Sequence, residues 1–305
     1  MGYSPGTKFD GLGAQLQRVI AINALGEYWS LSVMHQPIEE IAIHPLDGFQ
    51  DDEAYRVFLS NVNYSIAATK IQSRNSKTIY SNDLIFRDML SVIFQLLRSR
   101  KPIHFLISHP YFFVDAYPDM YKCSLNTLVS ERISKFSSTT FSDAIVVHHR
   151  HGVGNMAIQP GQKSPREISE ISLFQSLERC ISHHPMARIV ILTDAPESDI
   201  VFIPPSQQRN SWTNLPKFDG VSLKVSGGSL DFIRSQLAIP IEIIRGGNPL
   251  ISLANMVTSD VLFLSRSSFG YVAAILGNPT EVWIPADFWH APLNNWFRFR
   301  TSESI

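Results

Sequence analysis

Between residues 144 and 285 the chain alternates short apolar runs with longer stretches of helical periodicity. The runs are AIVVHH (144–149), RIVILTD (188–194), IEII (241–244), DVLFLS (260–265) and EVWIP (281–285). Helical patterns such as REISEISLFQSLERCISHH (166–184) separate them. Two parallel strands need a crossover connection, which a helix usually supplies. The alternation therefore predicts an α/β protein with mainly parallel sheets.

The first half of the chain shows the same alternation less regularly. Helical patterns cover 14–25, stretches from Asp52 and Asp83, and about 119–135, while strand-like runs cover 28–34 and 103–108. The polar stretch SKFSSTTFSD (134–143) has the composition of a linker. At 305 residues the chain is long enough for two domains. We predict two α/β domains, residues 1–138 and 139–305, with a cleft between them.

Composition and charge exclude several classes of function. The 26 basic and 27 acidic residues nearly cancel and form no basic block, so we expect no nucleic-acid partner. Cys123 and Cys180 are too few for a disulfide framework or a zinc site. No apolar signal region begins the sequence, and no apolar stretch is long enough to span a bilayer. These features predict a cytoplasmic protein with no transmembrane segment.

Polar residues directly after a strand are candidates for a binding site, because ligands of open α/β sheets lie beyond the carboxyl ends of the strands. In VVHHRHGVGN (146–155), strand alternation places His148 and Arg150 on one face and His149 and His151 on the other. The guanidinium of Arg150 suits a phosphate, since it stays charged and can bind two oxygens at once. Solvated side chains at a strand end are the alternative. We expect no metal site, because no carboxylate lies near the histidines.

Two further strand ends carry polar residues. Thr193 and Asp194 follow the strand RIVILT, where an aspartate can bind a ribose or a base amine, or cap a helix. Ser265, Ser267 and Ser268 lie between a strand and the helical pattern SFGYVAAILG (268–277). Their hydroxyls and the free N–H groups of the helix start can cap the helix, bind a diphosphate, or do both.

The stretch FDGLGAQ (9–15) places Gly11 and Gly13 at the start of a helix. Glycines there leave the N–H groups of the helix start accessible to an anion or a nucleotide sugar. The stretch is not a P-loop, since no Gly-Lys-Ser/Thr follows, and residue 16 is not the third glycine of a dinucleotide fingerprint. A tight turn capped by Asp10 is the alternative.

In this order the four motifs resemble those of the fucosyltransferase-like glycosyltransferases of the GT-B type. That group includes the α-1,2- and α-1,6-fucosyltransferases and the protein O-fucosyltransferases. The matching residues, which the resemblance implies bind the nucleotide sugar, are Gly11, Gly13 and Gln15, then His148, Arg150 and Gly152, then Thr193 and Asp194, and finally Ser265, Ser267, Ser268 and Phe269. The resemblance runs from end to end and implies two Rossmann-like domains with parallel sheets facing a central cleft. The first domain would face the acceptor and the second would bind the nucleotide sugar.

The resemblance implies transfer of a sugar from a nucleotide-diphosphate donor to a glycan hydroxyl, as a metal-independent inverting single displacement without a cofactor. Fucosyltransferases often carry a second Arg and an acid where this chain has His151 and Val153. GDP-fucose and a UDP-sugar such as UDP-xylose are therefore both candidate donors. Asp10 is the predicted base, with His149 and His151 as alternatives, and Arg150 would hold the departing diphosphate. A non-catalytic nucleotide- or glycan-binding module is the second hypothesis, and a dinucleotide-dependent oxidoreductase is the third.

Overall fold

The structure is a computed structural model that describes most of the chain. The described residues are 2–3, 11–41, 49, 51–67, 77–81, 98, 103–107, 109–137, 139, 141, 143–150, 168–194, 200–203, 221–224, 230–293 and 295–301. The strands among them are β1 (Gly2–Tyr3), β2 (Lys77–Ser81), β3 (Ile103–Ile107), β4 (Ala144–His149), β5 (Arg188–Thr193), β6 (Ile200–Ile203), β7 (Val221–Lys224), β8 (Ile241–Arg245), β9 (Val261–Leu264), β10 (Glu281–Pro285) and β11 (Phe297–Phe299). The helices are α1 (Leu12–Tyr28), α2 (Asp52–Ile66), α3 (Tyr111–Ala116), α4 (Ser124–Ser134), α5 (Glu170–His183), α6 (Asp231–Gln236), α7 (Pro249–Val257) and α8 (Ser268–Gly277), and a 3₁₀ turn covers Pro118–Tyr121.

Two parallel sheets organise the described strands. Six strands form one sheet in the order β11-β10-β9-β4-β5-β8, and every neighbouring pair in it is parallel. A smaller parallel sheet has the order β1-β3-β2, and β6 and β7 form an antiparallel pair. Every residue of β4 is buried, which accounts for the apolar run over residues 144–147 at its start. The predicted α/β class with parallel sheets is confirmed, with one parallel sheet in each predicted half.

The predicted strand over residues 28–34 is wrong. Helix α1 ends within this stretch, and residues 31–41 form neither helix nor strand. The N–H of Leu31 donates to the carbonyl oxygen of Gly26 at 2.8 Å. A methyl of Val33 fills the space where Gly26 lacks a Cβ. The apolar residues here pack back against the end of α1 instead of pairing in a sheet.

The predicted helix over about 119–135 is divided in the structure. Its first part is a 3₁₀ turn, and α4 begins only at Ser124. The carboxylate of Glu27, at the end of α1, accepts a hydrogen bond from the N–H of Ser124 at 2.9 Å and so caps α4 from another helix. Of the helix predicted from Asp83, residues 83–99, the structure describes residue 98 alone, which is helical, and the rest lies outside the described residues.

Helix α1 is buried along most of its length and packs against α3, α4 and α8. Its side chains share one apolar core with those of α7 and α8, the helices beside the six-stranded sheet. Phe141, in the predicted linker, is buried in the same core. The domain boundary between residues 138 and 139 stays a prediction.

Two glycines allow close contacts at the two ends of α8. A Cβ on Gly13 would lie 2.4 Å from the backbone nitrogen of Phe269, in the first turn of α8. A Cβ on Gly277 would lie 2.4 Å from the carbonyl oxygen of Val257, at the end of α7. Helix α8 is therefore held by backbone contact at both ends.

Candidate functional site

A pocket lies at the carboxyl ends of β4, β5 and β8. Its described lining residues are His148, Arg150, Leu192, Thr193, Asp194, Ile244, Gly246, Gly247, Pro249, Ser252 and Phe269. Three of the motifs singled out in the sequence meet here, from the end of β4, the end of β5 and the start of α8. Strand alternation is the reason that His148 and Arg150 both face the pocket.

Arg150 is paired with Asp194 at the edge of the pocket. Its Nε lies 3.1 Å from Oδ2 of Asp194, and the two side chains are 17% and 11% exposed. The N–H of Arg150 donates to Oγ of Ser265 at 3.0 Å, which ties the end of β4 to the turn before α8. Within the described part of the chain, neither Nη1 nor Nη2 of Arg150 has a hydrogen-bond partner. These two nitrogens carry four of the five guanidinium N–H groups, which can bind an anion in the pocket.

His148 lines the pocket together with Arg150 and is largely buried. Its Nδ1 lies 3.3 Å from Oγ of Ser265, and its ring centroid lies 5.6 Å from that of Phe269. Gly270 makes room for the imidazole, because a Cβ there would lie 2.8 Å from Nδ1. Burial, with the neighbouring Arg150 charge as a smaller cause, lowers the pKa of His148 to about 3. The imidazole is therefore neutral near pH 7, and its Nδ1 can accept a hydrogen bond from the Ser265 hydroxyl.

The neutrality of buried His148 predicts a loss of stability in acid. Between its ordinary pKa of 6.5 and its folded pKa of about 3, the unfolded chain binds a proton that the folded protein does not. The free energy of unfolding should therefore fall as the pH drops, by up to about 1.4 kcal/mol per pH unit from this group. His35 acts in the same direction, because burial lowers its pKa to about 4.

Urea unfolding of the wild type and of His148→Gln at pH 7 and pH 5 measures this contribution. The variant cannot take up the proton, so we expect its loss of stability over this range to be about 2 kcal/mol smaller than that of the wild type. Equal losses in the two proteins would contradict the assignment.

The loop between β8 and α7 also lines the pocket, although the sequence analysis did not select it. Gly246 and Gly247 have φ values of +61° and +91°, a region that favours glycine. The N–H of Gly246 donates to the carbonyl oxygen of Thr193 at 3.0 Å, and Asn248 caps α7 by accepting from the N–H of Leu250 at 2.9 Å. No atom of the described residues lies within 4 Å of where a Cβ on Gly247 would be. A Gly-Gly pair after a strand, followed by an Asn-Pro helix start, was the signal in the sequence.

The glycine motif at residues 11–15 lies beside the serine motif at the start of α8. Gly11 directly precedes α1, Gly13 contacts the backbone of Phe269, and Gln15 is buried on α1. None of these three residues lines the pocket as described. Their contact with a nucleotide sugar stays a prediction.

The serines of the turn before α8 make specific contacts within the protein. Ser267 caps α8 by accepting from the N–H of Phe269 at 3.3 Å. The Oγ of Ser268 lies 3.4 Å from Nε2 of His290, a residue that the sequence analysis did not select. The predicted phosphate contacts of Ser267 and Ser268 remain to be tested.

Of the two histidines that are alternatives to Asp10 as the base, the structure describes His149. His149 does not line the pocket as described, is 3% exposed, and has its Nδ1 2.9 Å from Oγ1 of Thr193, which does line it. Asp10, His151 and Gly152 lie outside the described residues. Across the described ranges, no three His, Cys, Asp or Glu side chains come together in a group that could hold a metal ion.

No family model matches the chain, and no curated protein matches it. The fold is similar to POFUT1 in complex with GDP, at 9% identity over 98% of this chain and 97% of that one, with a TM-score of 0.46. It is also similar to the E. coli heptosyltransferase WaaC with ADP-2-deoxy-2-fluoro heptose, at 8% identity over 96% and 91% of the two chains, with a TM-score of 0.44. The assignment of function therefore depends on the chemistry of the pocket.

Among the described residues, no helix is both long enough and apolar enough to span a bilayer.

Proposed function

We propose that the pocket binds the diphosphate of a nucleotide sugar and that the protein transfers the sugar to a glycan hydroxyl. The observation that carries this proposal is the guanidinium of Arg150, which is mostly buried in the pocket and leaves both Nη groups without a partner in the described structure. A fixed cation at the carboxyl edge of a parallel sheet is suited to a diphosphate. The order of the four sequence motifs, which resembles that of fucosyltransferase-like GT-B enzymes, supports the same function.

The remaining lining suits the other parts of such a donor. Pro249 and Ser252 bring the start of α7 to the pocket, and a helix start favours negative charge through its N–H groups and its dipole. The carboxylate of Asp194 can accept hydrogen bonds from ribose hydroxyls or a base amine. Ile244 and Phe269 add apolar surface for a base or a sugar ring.

In the proposed reaction the acceptor oxygen attacks the anomeric carbon as the diphosphate leaves. Arg150 would neutralise the charge that develops on the diphosphate, and preorganised charge of this kind is usually the largest contribution to catalysis. We propose an inverting single displacement that does not depend on a metal, since the arginine can supply this charge. GDP-fucose and UDP-xylose are the candidate donors, and Asp10 is the base predicted from the sequence. The cytoplasmic location and the lack of a resident cofactor also remain predictions.

A thermal-shift panel with GDP, UDP, CDP, NAD and no ligand tests the binding step. A ligand present at about 100 times its dissociation constant stabilises the folded state by about 2.7 kcal/mol, so we expect GDP or UDP to raise the melting temperature by several degrees. A shift with GDP favours a fucosyl donor, and a shift with UDP favours a pentose or hexose donor. A shift with NAD alone, or with no compound, would contradict the proposed site.

Nucleotide release from the donor that binds then tests turnover, with EDTA present to test metal independence. We expect the rate of nucleotide release to be the same with EDTA as without it. Binding without any release, even by slow hydrolysis, would favour the non-catalytic binding module.

A further inference from the structure

We infer that Ser268, His290 and Asp115 form a relay that accepts the proton of the acceptor hydroxyl, an inference that rests on the proposed glycosyl transfer. The three residues come from distant parts of the chain: the start of α8, the segment after β10, and α3. Nδ1 of His290 lies 2.7 Å from Oδ2 of Asp115, and Nε2 of His290 lies 3.4 Å from Oγ of Ser268. A hydroxyl, an imidazole and a carboxylate in this order can pass a proton from the first group to the second.

Asp115 determines which nitrogen of His290 carries the ring proton. An ionised carboxylate only accepts hydrogen bonds, so Nδ1–H donates to Oδ2 and the lone pair lies on Nε2. The amide N–H of Gln17 at 3.1 Å and the hydroxyl of Ser268 at 3.4 Å can each donate to this lone pair, so the relay requires Ser268 to replace Gln17 as its donor. The other carboxylate oxygen of Asp115 accepts from the hydroxyl of Tyr121 at 2.6 Å. Burial, with the charge of Asp115 as a further cause, raises the pKa of Tyr121, so its hydroxyl keeps its proton. The carboxylate is thus oriented from two sides.

The imidazole of His290 is enclosed and is only 5% exposed. Its ring stacks on Tyr271 at 4.8 Å between centroids and meets the edge of Tyr111 at 6.0 Å. Nε2 of Gln17, on α1, lies 3.1 Å from each ring nitrogen. Within the described structure, the titratable groups against the imidazole are the carboxylate of Asp115 and the phenols of Tyr111 and Tyr271. The single charged neighbour is negative, so it would balance the positive charge that His290 gains with a proton.

Ser268 connects this cluster to the pocket. It directly precedes Phe269, which lines the pocket, and its side chain is partly exposed. On its other side the same turn contacts Gly13 at the start of α1. Ser268 thus lies in the turn that joins the pocket residue Phe269 to the start of α1, in the half of the chain that would bind the acceptor.

In the transfer step the acceptor oxygen bonds to the anomeric carbon while the bond from that carbon to the diphosphate oxygen breaks. The diphosphate leaves with the electron pair. The acceptor proton passes to Oγ of Ser268 as the Ser268 proton passes to Nε2 of His290, and the imidazolium later releases the proton to water. Ser268 touches the acceptor, His290 holds the proton, and Asp115 is a positioning residue that acts through His290.

Asp115→Asn is the first test. The asparagine has nearly the same volume, but its amide N–H can donate to Nδ1, which moves the ring proton to Nε2 and removes the lone pair that faces Ser268. We expect kcat for transfer to fall at least about a hundredfold, since a proton acceptor typically contributes about 10²–10⁴-fold. The donor KM and the thermal shift given by the nucleotide should stay within about twofold of wild type, because Asp115 does not line the donor pocket.

Tyr121→Phe is the matched control, because it removes the second hydrogen bond to the carboxylate and leaves the relay itself in place. We expect its kcat to stay within about tenfold of wild type. Ser268→Ala should lower kcat without changing the nucleotide-induced thermal shift. If Asp115→Asn does not fold, Ser268→Ala and His290→Gln test the relay by the same criterion. Each should lower kcat and leave nucleotide binding unchanged.

Several results would overturn the relay while the proposed function stands. One is a wild-type kcat in Asp115→Asn together with a large loss in Asp10→Asn, which would assign the base to Asp10. Another is a weaker nucleotide shift at unchanged kcat in Ser268→Ala, which would place Ser268 in the phosphate site. A wild-type protein with neither a nucleotide shift nor turnover would instead overturn the proposed function, and the relay with it.

Discussion

Arg150→Ala is expected to lower kcat/KM for sugar transfer about a thousandfold. Removing one preorganised hydrogen-bond donor that faces developing negative charge typically lowers kcat by about 10²–10³-fold. Arg150 would also contribute to binding of the nucleotide sugar. Initial rates of nucleotide release over a range of donor concentrations should show both a lower kcat and a higher KM. Arg150→Lys keeps the charge but loses the planar pair of Nη groups, so we expect it to recover only part of the rate.

Controls separate this effect from a loss of stability. Arg150→Ala removes the cation 3.1 Å from the largely buried carboxylate of Asp194, and we expect this loss to destabilise the fold. The double variant Arg150→Ala/Asp194→Asn should recover stability but not activity. Arg188 lies at the other end of β5 and pairs with Asp143 and Glu242. Arg188→Ala should therefore keep the wild-type rate, and a loss below about tenfold in Arg150→Ala would contradict the proposed role of Arg150.

Gly13→Ala is expected to destabilise the protein by about 3 kcal/mol, although helix propensity alone predicts a gain of about 1 kcal/mol. The contact with α8 makes the change in stability unfavourable, because the added Cβ would lie 2.4 Å from the backbone nitrogen of Phe269. A backbone atom cannot rotate away, so α1 and α8 would have to separate within their shared core. Urea unfolding of the variant and of the wild type measures the difference.

Gly26→Ala is a matched control on the same helix. Its added Cβ would lie 2.2 Å from a methyl of Val33, which can change rotamer, and 3.1 Å from the carbonyl oxygen of Leu31. We expect a smaller loss than for Gly13→Ala. If Gly13→Ala is as stable as the wild type, the close approach of α1 to α8 is wrong. The start of α8 carries both Ser268 and Phe269, so Gly13→Ala should also lower activity.

The strand-end residues of the pocket could be predicted because their positions depend on local geometry. A strand places alternate side chains on one face, so His148 and Arg150 follow from the period of two once β4 is recognised. Thr193 and Asp194 follow for a different reason, since parallel strands carry their carboxyl ends to one edge of the sheet. The glycine loop at Gly246 and Gly247 had a readable signal, the Gly-Gly pair before a helix start.

The relay could not be predicted from the sequence. Asp115 and His290 are 175 positions apart in the chain, and their 2.7 Å contact exists only because α1, α3 and α8 share a core. Neither residue lies in a recognisable motif. The strand predicted over 28–34 fails for a related reason, since its apolar side chains find their partners on α1 instead of in a sheet.

The sequence by itself determined the α/β class, the order of β4, β5, β8, β9 and β10 with the helices between them, and the polar residues that follow β4, β5 and β9, whereas β6, β7 and β11 were not predicted. These properties depend on apolar periodicity and on residues close to one another in the chain. The tertiary structure alone decided that Arg150 pairs with Asp194, that Gly13 touches the start of α8, and that Asp115 meets His290. Each of these contacts joins segments far apart in sequence, and only packing into a common core determines their distance and orientation.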